Sequence, residues 1–463
     1  MTASPALPPG RLRCWLLVRS HPLPAVFLIA VVVRLINVSL LESDNAFFAE
    51  WDAYGYWFAS ANLAKPDLFW PTLVSMTDRM PLYPLLLAAV RSVFGDLPRT
   101  VALIQAAIDA GTCTLIAALG ALISPLTGLI AGMIAAASAT LIVLSSQILT
   151  DTVSLFFFTA MLLAGTRFLL SPSVWLAGLA GLAGGLALLT RPAIAPLLIA
   201  AVPVIFVVAN MRWRKMARAL AASMVFAAAA TAPVAPVLLR NAAQFGSIAL
   251  TEQSGEHLAF WIVPLVAQRA WGIPYETSVE RMRELYRQRL AERGLSEESN
   301  PFLRASIKVE VAREAMARLP PAAFVESWLE GMAVNLAAPA LLADPRVRAL
   351  PKPSFYGTPG ASLWQRMRIY FFEQPGLYQA LLAIGLAAML PYLVLEAIGF
   401  YQLARLQPWA AVFAGALLAY FLLLSGPVAS PKYRLPMEPV LIVLAAIPLA
   451  RLGEGKRGAP QAI

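Results

Sequence analysis

Apolar stretches of close to 20 residues recur along almost the whole chain, each about as long as a helix must be to cross a bilayer. "PAVFLIAVVVRLINVSLL" and "TGLIAGMIAAASATLIVL" are two of them. Inside lipid every backbone amide and carbonyl has to be satisfied within the chain, so runs of this kind fold as helices packed on one another. With 59% hydrophobic and only 13% charged residues over 463 positions, an ordinary soluble domain is excluded. The sequence predicts an all-α polytopic membrane protein with spans near 23–41, 100–122, 126–145, 152–170, 174–190, 194–210, 219–239, 377–399, 408–425 and 437–451. The opening "RLRCWLLVRSHPLPAVFLIA" has basic residues before an apolar run, as a signal peptide does. That run continues without a small-residue cleavage site, so it reads as an uncleaved first span.

Basic residues orient the bundle. Counted from a cytoplasmic N-terminus, the inside segments collect Arg11, Arg13, Arg19, Arg167, the cluster Arg212, Arg214, Lys215 and Arg218, then Arg405, Arg451, Lys456 and Arg457. The positive-inside rule is met with both termini inside. The chain then divides into a cytoplasmic basic N-terminus (1–22), a transmembrane region (23–240) with an outer loop at 42–99, an outer helical loop region (241–376), C-terminal spans (377–451) and a cytoplasmic tail (452–463). The formal charge of +10 is assigned to this topology and to phosphate groups. No basic cluster is interleaved with aromatics, so nucleic acid is not expected as a partner. Cys14 and Cys113 are too far apart in sequence to suggest a disulfide framework, and no internal repeat is visible.

Two parts of the outer region are less regular. The segment 322–344 is apolar enough to enter the bilayer yet holds Glu326 and Glu330, and is expected to be interfacial or re-entrant. The stretch "SVERMRELYRQRLAERGLSEESNPFLRASIKVEVAREAMARL" has helical charge patterning with few large apolar residues and reads as solvated helix.

The acids gather after the first span. Between Leu41 and Met80 stand Glu42, Asp44, Glu50, Asp52, Asp67 and Asp78, and "EWDAYGYW" surrounds Asp52 with aromatics. On a helix Asp52 and Tyr56 share a face, with Phe48 a turn before and Ser60 a turn after. Aromatics of this density favour a helix lying along the membrane surface. Arg34, inside the first span, would cost roughly 2.5–3.5 kcal/mol at mid-bilayer on insertion scales. A partner for it is expected among Glu42, Asp44 and Asp52.

Asp-x-x-x-Tyr in an acidic first loop, then Asp78-Arg79 before Pro-Leu-Tyr and a short helix closing in Phe94-Gly95, resembles the polyprenyl-phosphate-dependent glycosyltransferases of GT-C fold. These are the protein mannosyltransferase and lipid A aminoarabinose transferase relatives, glycosyltransferase family 39. "LTDTVSLFFF", "GLALLTRPAIAPLL", "APVLLRNAAQFGSIALTEQSGEHL" and "KYRLPMEPVLIVLAA" agree with the same pattern in order, from about residue 25 to 450.

The resemblance implies a GT-C-like bundle of about 10–12 transmembrane helices with interfacial helices in the first outer loop. It implies a sugar transferred, with inversion, from a polyprenyl-phosphate-linked donor to a glycan, lipid or protein acceptor at the outer face of the membrane, and membrane lipids as surroundings. Such a step needs a carboxylate to take the acceptor's proton and cations to stabilise the departing phosphate. Asp52 resembles the catalytic base, with Asp151 as a second acid that is equally a helix N-cap. Asp78 and Arg79 match the acid-base pair before Pro-Leu-Tyr, although the family more often has lysine at the basic position. Tyr56, Tyr83, Arg191, Arg240, His257, Lys432 and Arg434 complete the candidate substrate- and phosphate-binding set. Snorkelling toward headgroups is the alternative reading of Arg191 and Arg240, and an ordinary loop residue that of His257. No catalytic metal and no cofactor are expected. An Ala-, Leu-, Arg- and Pro-rich composition suggests a bacterium with GC-rich DNA, which would place the protein in the inner membrane facing the periplasm, with undecaprenyl or decaprenyl phosphate as carrier.

A transporter or lipid flippase is the main rival and predicts broken helices lined by polar residues at mid-membrane. An O-antigen polymerase or ligase would place its key arginines in the later half of the chain.

Overall fold

A computed structural model of the chain describes residues 22–48, 51–297, 299–352, 363–373 and 376–454. Glu50, Cys14, most of the basic N-terminus and nearly all of the tail lie outside these residues. Among the described residues the structure is helical throughout, with no strand.

Among the described residues seven helices are long and apolar enough to cross a membrane: Pro22–Ser39, Pro98–Ala121, Asp151–Leu170, Pro192–Trp213, Leu377–Leu406, Pro408–Ser425 and Pro431–Glu454. Two expected spans are broken rather than continuous. Pro125–Ala137 and Ala139–Ser145 meet at 50°, and Met216–Thr231 and Ala235–Phe245 meet at 63°. Counting each bent pair once gives nine, and the expected span at 174–190 is the short apolar helix Val174–Leu188. Apolar content alone hides the first break, because Ser138 in extended conformation starts a new helix by accepting from the Leu141 amide.

Proline at the first turn and serine caps set many of the helix starts. Pro98, Pro125 and Pro408 stand where a missing N–H costs nothing, and Ser124 and Ser173 accept from the amides of Thr127 and Leu176. Small residues bring helices close. A side chain at Gly128 would meet the Ala117 carbonyl oxygen at 2.7 Å, so Pro98–Ala121 and Pro125–Ala137 touch backbone to backbone.

The core falls into layers. Pro22–Ser39, Pro98–Ala121, the broken pair 125–145 and Pro431–Glu454 bury one cluster around Ala30, Ile116, Leu144 and Ile442. Helices 151–170, 174–188, 195–213 and 216–231 bury a second around Phe158, Phe226 and Leu198. Interfacial helices Trp51–Leu63, Pro66–Ser75 and Leu82–Phe94 follow the first span, as the resemblance implied for the first loop. Phe48, expected one turn before Asp52, precedes this helix instead and stacks on Tyr54 at 4.9 Å.

Above one end of the bundle a helical cap has its own core of Phe260, Val266, Met282, Tyr286, Ile307 and Val311. Its charged stretch is two helices, Tyr275–Glu292 and Pro301–Met316, joined by Arg289 and Arg293 to Glu310 and Glu314. The segment expected to be interfacial or re-entrant forms Pro321–Ala337, which is not among the helices long and apolar enough to span. Glu326 and Glu330 pair with Arg269 of the cap, while Trp328 donates to the Leu423 carbonyl at the end of Pro408–Ser425. The helix is thus the floor of the cap. At the opposite end of the bundle Ser124 donates to Glu454.

The partner of Arg34 is not in the first loop. Its Nε donates to Asp109 at 2.6 Å in the span Pro98–Ala121, and both side chains are fully buried. The remaining guanidinium N–H groups reach the carbonyls of Ala136 and Ala135, at 2.7 and 3.2 Å, and the sulfur of Cys113. Both carbonyls lie in the last turn before the break at Ser138, whose own amide also donates to that of Ala135. Sequence spacing favoured the nearer acids; packing two spans face to face brought a residue 75 positions away instead.

Candidate active site

Helix Trp51–Leu63 presents Asp52 and Tyr56 one turn apart, on the cap side of the bundle. Asp52 is exposed, with 62% of its side chain open, and faces Lys432 at 3.8 Å. Lys432 comes from the 3-10 turn Pro431–Met437 that begins the last span. Residues from the two ends of the chain therefore meet here.

Asp78 and Arg79 form the next pair. Arg79 Nε donates to Asp78 at 2.8 Å, and its Cζ lies 4.8 Å from the centre of the Tyr56 ring. The guanidinium passes against Gly55, where a side chain would collide with it. Its Nη1 is buried and has no hydrogen-bond partner among the described residues. A glycine in the middle of this helix is thus a requirement of packing, which the sequence motif did not reveal.

Asp151 opens helix Asp151–Leu170 and is buried. The N-cap reading is corrected: Thr150 occupies that position, and the Asp151 carboxylate accepts from Arg191 Nη1 at 2.5 Å. Arg191 stands just before the span Pro192–Trp213. Burial works against its charge, but Asp151, with Tyr433 and Tyr56 adding to the effect, raises its pKa overall. Burial likewise pushes the Tyr56 hydroxyl above its ordinary range, helped by Asp52 and opposed by Arg79 and Arg191. Tyr56 therefore remains a neutral donor among charged groups. Tyr83 packs edge-on against it at 5.3 Å and donates to Gln105 at 2.7 Å.

Eight of the sequence candidates come together in this way: Asp52, Tyr56, Asp78, Arg79, Tyr83, Asp151, Arg191 and Lys432. Three do not join them through any of these contacts. Arg240 donates to its neighbour Asn241 and to the Leu73 carbonyl, tying its helix to Pro66–Ser75. His257 ends the short helix Gln253–His257 in the cap, where burial lowers its pKa. Arg434, expected at a phosphate, is 1% exposed and donates to Glu438 at 2.8 Å, to Glu396 and to the Leu336 carbonyl. With its guanidinium engaged on three sides, it locks the last span to Leu377–Leu406 and to the cap floor. Glu396 and Glu438 had no signal in the sequence, since each looks like a stray acid in an apolar run.

Sequence reading also missed Gln105, and Glu252, whose amide and carboxylate bond Thr77 beside the Asp78-Arg79 pair. Among the described residues no group of three or more His, Cys, Asp or Glu side chains is placed to hold a metal ion. A groove of about 250 Å³ in the cap, between Trp271, Met282 and Leu319, is lined by none of the clustered residues.

A helical membrane bundle with interfacial helices in its first loop and a charged cluster at one end is the GT-C fold. A family model described as dolichyl-phosphate-mannose-protein mannosyltransferase matches residues 78–239, roughly a third of the chain, from Asp78 to just before Arg240. Among solved structures, the archaeal oligosaccharyltransferase AglB from Archaeoglobus fulgidus, in complex with an inhibitory peptide and a dolichol-phosphate, superposes with a TM-score of 0.50. The two are 15% identical over 96% of this chain and 53% of that one, so the present chain spans about half the length of AglB. ArnT from Cupriavidus metallidurans bound to undecaprenyl phosphate is 15% identical over 96% of this chain and 81% of that one, with a TM-score of 0.38. Its apo state, also 15% identical, covers 94% and 78% with a TM-score of 0.37. At these identities the likeness is one of fold, and the superposition on AglB carries it. No curated protein sequence matches the chain at a significant level.

Proposed function

We propose that the protein is an inverting glycosyltransferase that moves a sugar from a polyprenyl-phosphate carrier to an acceptor at the outer face of the cytoplasmic membrane. The observation that carries this reading is the contrast among three ion pairs in one cluster. Asp151 and Arg191 are close and Asp151 is buried, and Asp78 and Arg79 are close and braced by Tyr56. Asp52 and Lys432 are 3.8 Å apart with the carboxylate exposed. With Lys432 largely covered, Asp52 open to solvent and the charges this far apart, the pair is worth about 0–1 kcal/mol. A phosphate can therefore break this pair at little cost, taking Lys432 and releasing the Asp52 carboxylate.

In this mechanism the donor phosphate lies between Lys432, Arg191 and Arg79. The acceptor hydroxyl attacks the anomeric carbon from the face opposite the phosphate. Its proton passes to Asp52 as the new glycosidic bond forms, and the bond from the anomeric carbon to the phosphate oxygen breaks. The bonding pair leaves on the polyprenyl phosphate, whose added negative charge the three cations stabilise. Asp151 and Asp78 hold the two arginines in place, and Tyr56 offers a neutral hydroxyl between them. The family match from Asp78 onward and the dolichol-phosphate named with AglB support a lipid-linked donor. We place the protein in a bacterial inner membrane with this cluster toward the periplasm, because Arg212, Arg214, Lys215 and Arg218 gather in the connection at the other end of the bundle.

A transporter would have broken helices around a wet midplane. Here the break at Ser138 is plugged by Arg34, which is fully buried. The deciding experiment is transfer by purified protein from radiolabelled polyprenyl-phosphate sugars to a membrane extract, wild type beside Asp52→Asn. Loss of a general base lowers turnover by roughly 10²–10⁴-fold. Label moving only with wild type supports the assignment, and transfer by Asp52→Asn at the wild-type rate removes Asp52 as the base. No transfer from any donor by folded protein returns the weight to transport.

A further inference from the structure

We infer that Gln105 is a positioning residue for this cluster, joining the two sides of it through a single buried amide. The inference rests on the proposed donor site for its functional consequence and on geometry alone for its structural part. Gln105 lies in the span Pro98–Ala121 and is fully buried. Its Oε1 accepts from the Tyr83 hydroxyl at 2.7 Å. Its Nε2 donates to the carbonyls of Ser145 at 2.9 Å and Gln147 at 2.8 Å. Three elements meet at this head: the interfacial helix Leu82–Phe94, the span, and the connector that follows Ala139–Ser145. A neutral amide supplies one acceptor and two donors in a single plane, which neither a hydrocarbon nor a carboxylate can do.

The connector, residues 146–150, leads directly into Asp151. It is held on its other side by Ile148, whose amide donates to the Phe47 carbonyl at 2.9 Å, and by Gln147, which reaches the Ala46 carbonyl. At the start of the same broken half-span, Arg34 caps the carbonyls of Ala135 and Ala136 from Asp109 and Cys113. Gln105, Asp109 and Cys113 follow at four-residue spacing on one face of one helix. That face therefore secures both ends of the half-span 138–150. Through the connector Gln105 fixes where Asp151 begins its helix and hence where Arg191 is held. Through Tyr83 it backs Tyr56, one turn beyond Asp52. An unsatisfied carbonyl buried in this layer is costly, so removing the amide should move the connector rather than leave a void.

The test uses the full-length protein in detergent with Gln105→Leu, Arg191→Gln and the double variant. Hydrogen exchange is read over residues 145–151. Binding of undecaprenyl phosphate, the probe, is measured by titration. Gln105→Leu is expected to speed exchange in the connector with little change in 431–454, and to weaken binding by about tenfold, within the range seen for coupled neighbours. In the Arg191→Gln background the same change is expected to cost almost nothing further. A Gln105 residue that merely fills space would add its full loss in both backgrounds, and that result, or unchanged connector exchange, overturns the inference. If the wild type fails to bind undecaprenyl phosphate, the donor reading falls, and the exchange measurement still decides whether Gln105 anchors the connector. Should Gln105→Leu not fold, Gln105→Glu keeps the acceptor for Tyr83, makes at most one of the two donations, and is held to the same outcomes.

Discussion

Replacing Gly55 with alanine should leave the fold intact and damage the site. On helix grounds alone the change is favourable, because alanine is better than glycine in a helix interior by about 0.5–1 kcal/mol. The new Cβ would stand 2.7 Å from Nη2 and 2.8 Å from Cζ of Arg79, and closer still to Nη1. Ordinary contact begins at 3.4 Å, so the guanidinium must retreat from its place between Asp78 and the Tyr56 ring, by more than an ångström at its nearest atom. Pulling the cation off the ring costs about 0.5–1 kcal/mol at a partly exposed position. The partly exposed ion pair adds about 0–1 kcal/mol. These roughly offset the helix gain, so the melting temperature should hardly move. A displaced Arg79 would, however, lose a charge-assisted hydrogen bond to the donor phosphate of about 1.5–3 kcal/mol. That corresponds to a loss of roughly tenfold or more in affinity. Undecaprenyl phosphate titration and thermal melting of the purified protein read the two effects separately. Gly165→Ala, a helix position where an added side chain meets nothing within 4 Å, is the control. Wild-type binding by Gly55→Ala would refute the role given to Arg79, and a large fall in stability would refute the offset.

Other substitutions probe the remaining contacts. Lys432→Gln should weaken titrated undecaprenyl phosphate binding by about tenfold, and the loss of its pair with the open Asp52 carboxylate should itself lower stability by only about 0–1 kcal/mol. Arg34→Met alone leaves Asp109 as a buried unpaired charge and should cost about 3–5 kcal/mol, with Arg34→Met/Asp109→Leu recovering much of it in denaturant titrations. Arg434→Gln should destabilise strongly, since Glu396 and Glu438 then face each other's charge without compensation, and the loss is read as a lower melting temperature. Burial lowers the His257 pKa below its ordinary 6.5, so the unfolded chain takes up this proton first. Stability should therefore fall as pH drops below 6.5 until the folded value is reached, and His257→Gln should flatten that part of the melting-temperature profile.

Much of the architecture is legible from local pattern. Apolar runs marked the helices at 22–39, 98–121, 151–170, 377–406 and 408–425 because a span must be long and greasy wherever it packs. Asp52 and Tyr56 share a face because the helical repeat dictates it. The break at 138 was not legible, since one serine in a run of alanines looks like any small residue inside a span, whereas the break at 232–234 carries Pro233, a signal that the expected continuous span at 219–239 read through. Asp151 was marked by its motif, but of the two readings the sequence left open the N-cap one does not hold, and its partner Arg191 was not legible. A cap is a local arrangement, whereas its bond to Arg191 spans two helices.

The order of residues alone established that this chain is a polytopic helical membrane protein, which ends carry the basic residues, and which acids stand next to the first span. It did so because hydropathy, helix period and charge placement are properties of a segment and its solvent. Packing in three dimensions was needed to show that Lys432 faces Asp52, that Arg34 belongs to Asp109 rather than to the first loop, that Arg434 is engaged by Glu396 and Glu438, and that Gln105 links Tyr83 to the approach to Asp151. Each of these contacts joins elements distant in the chain or turns on how they pack. Their partners are chosen by how helices pack and by the cost of leaving a buried charge or amide unpaired, and neither is written in the spacing of residues along one helix.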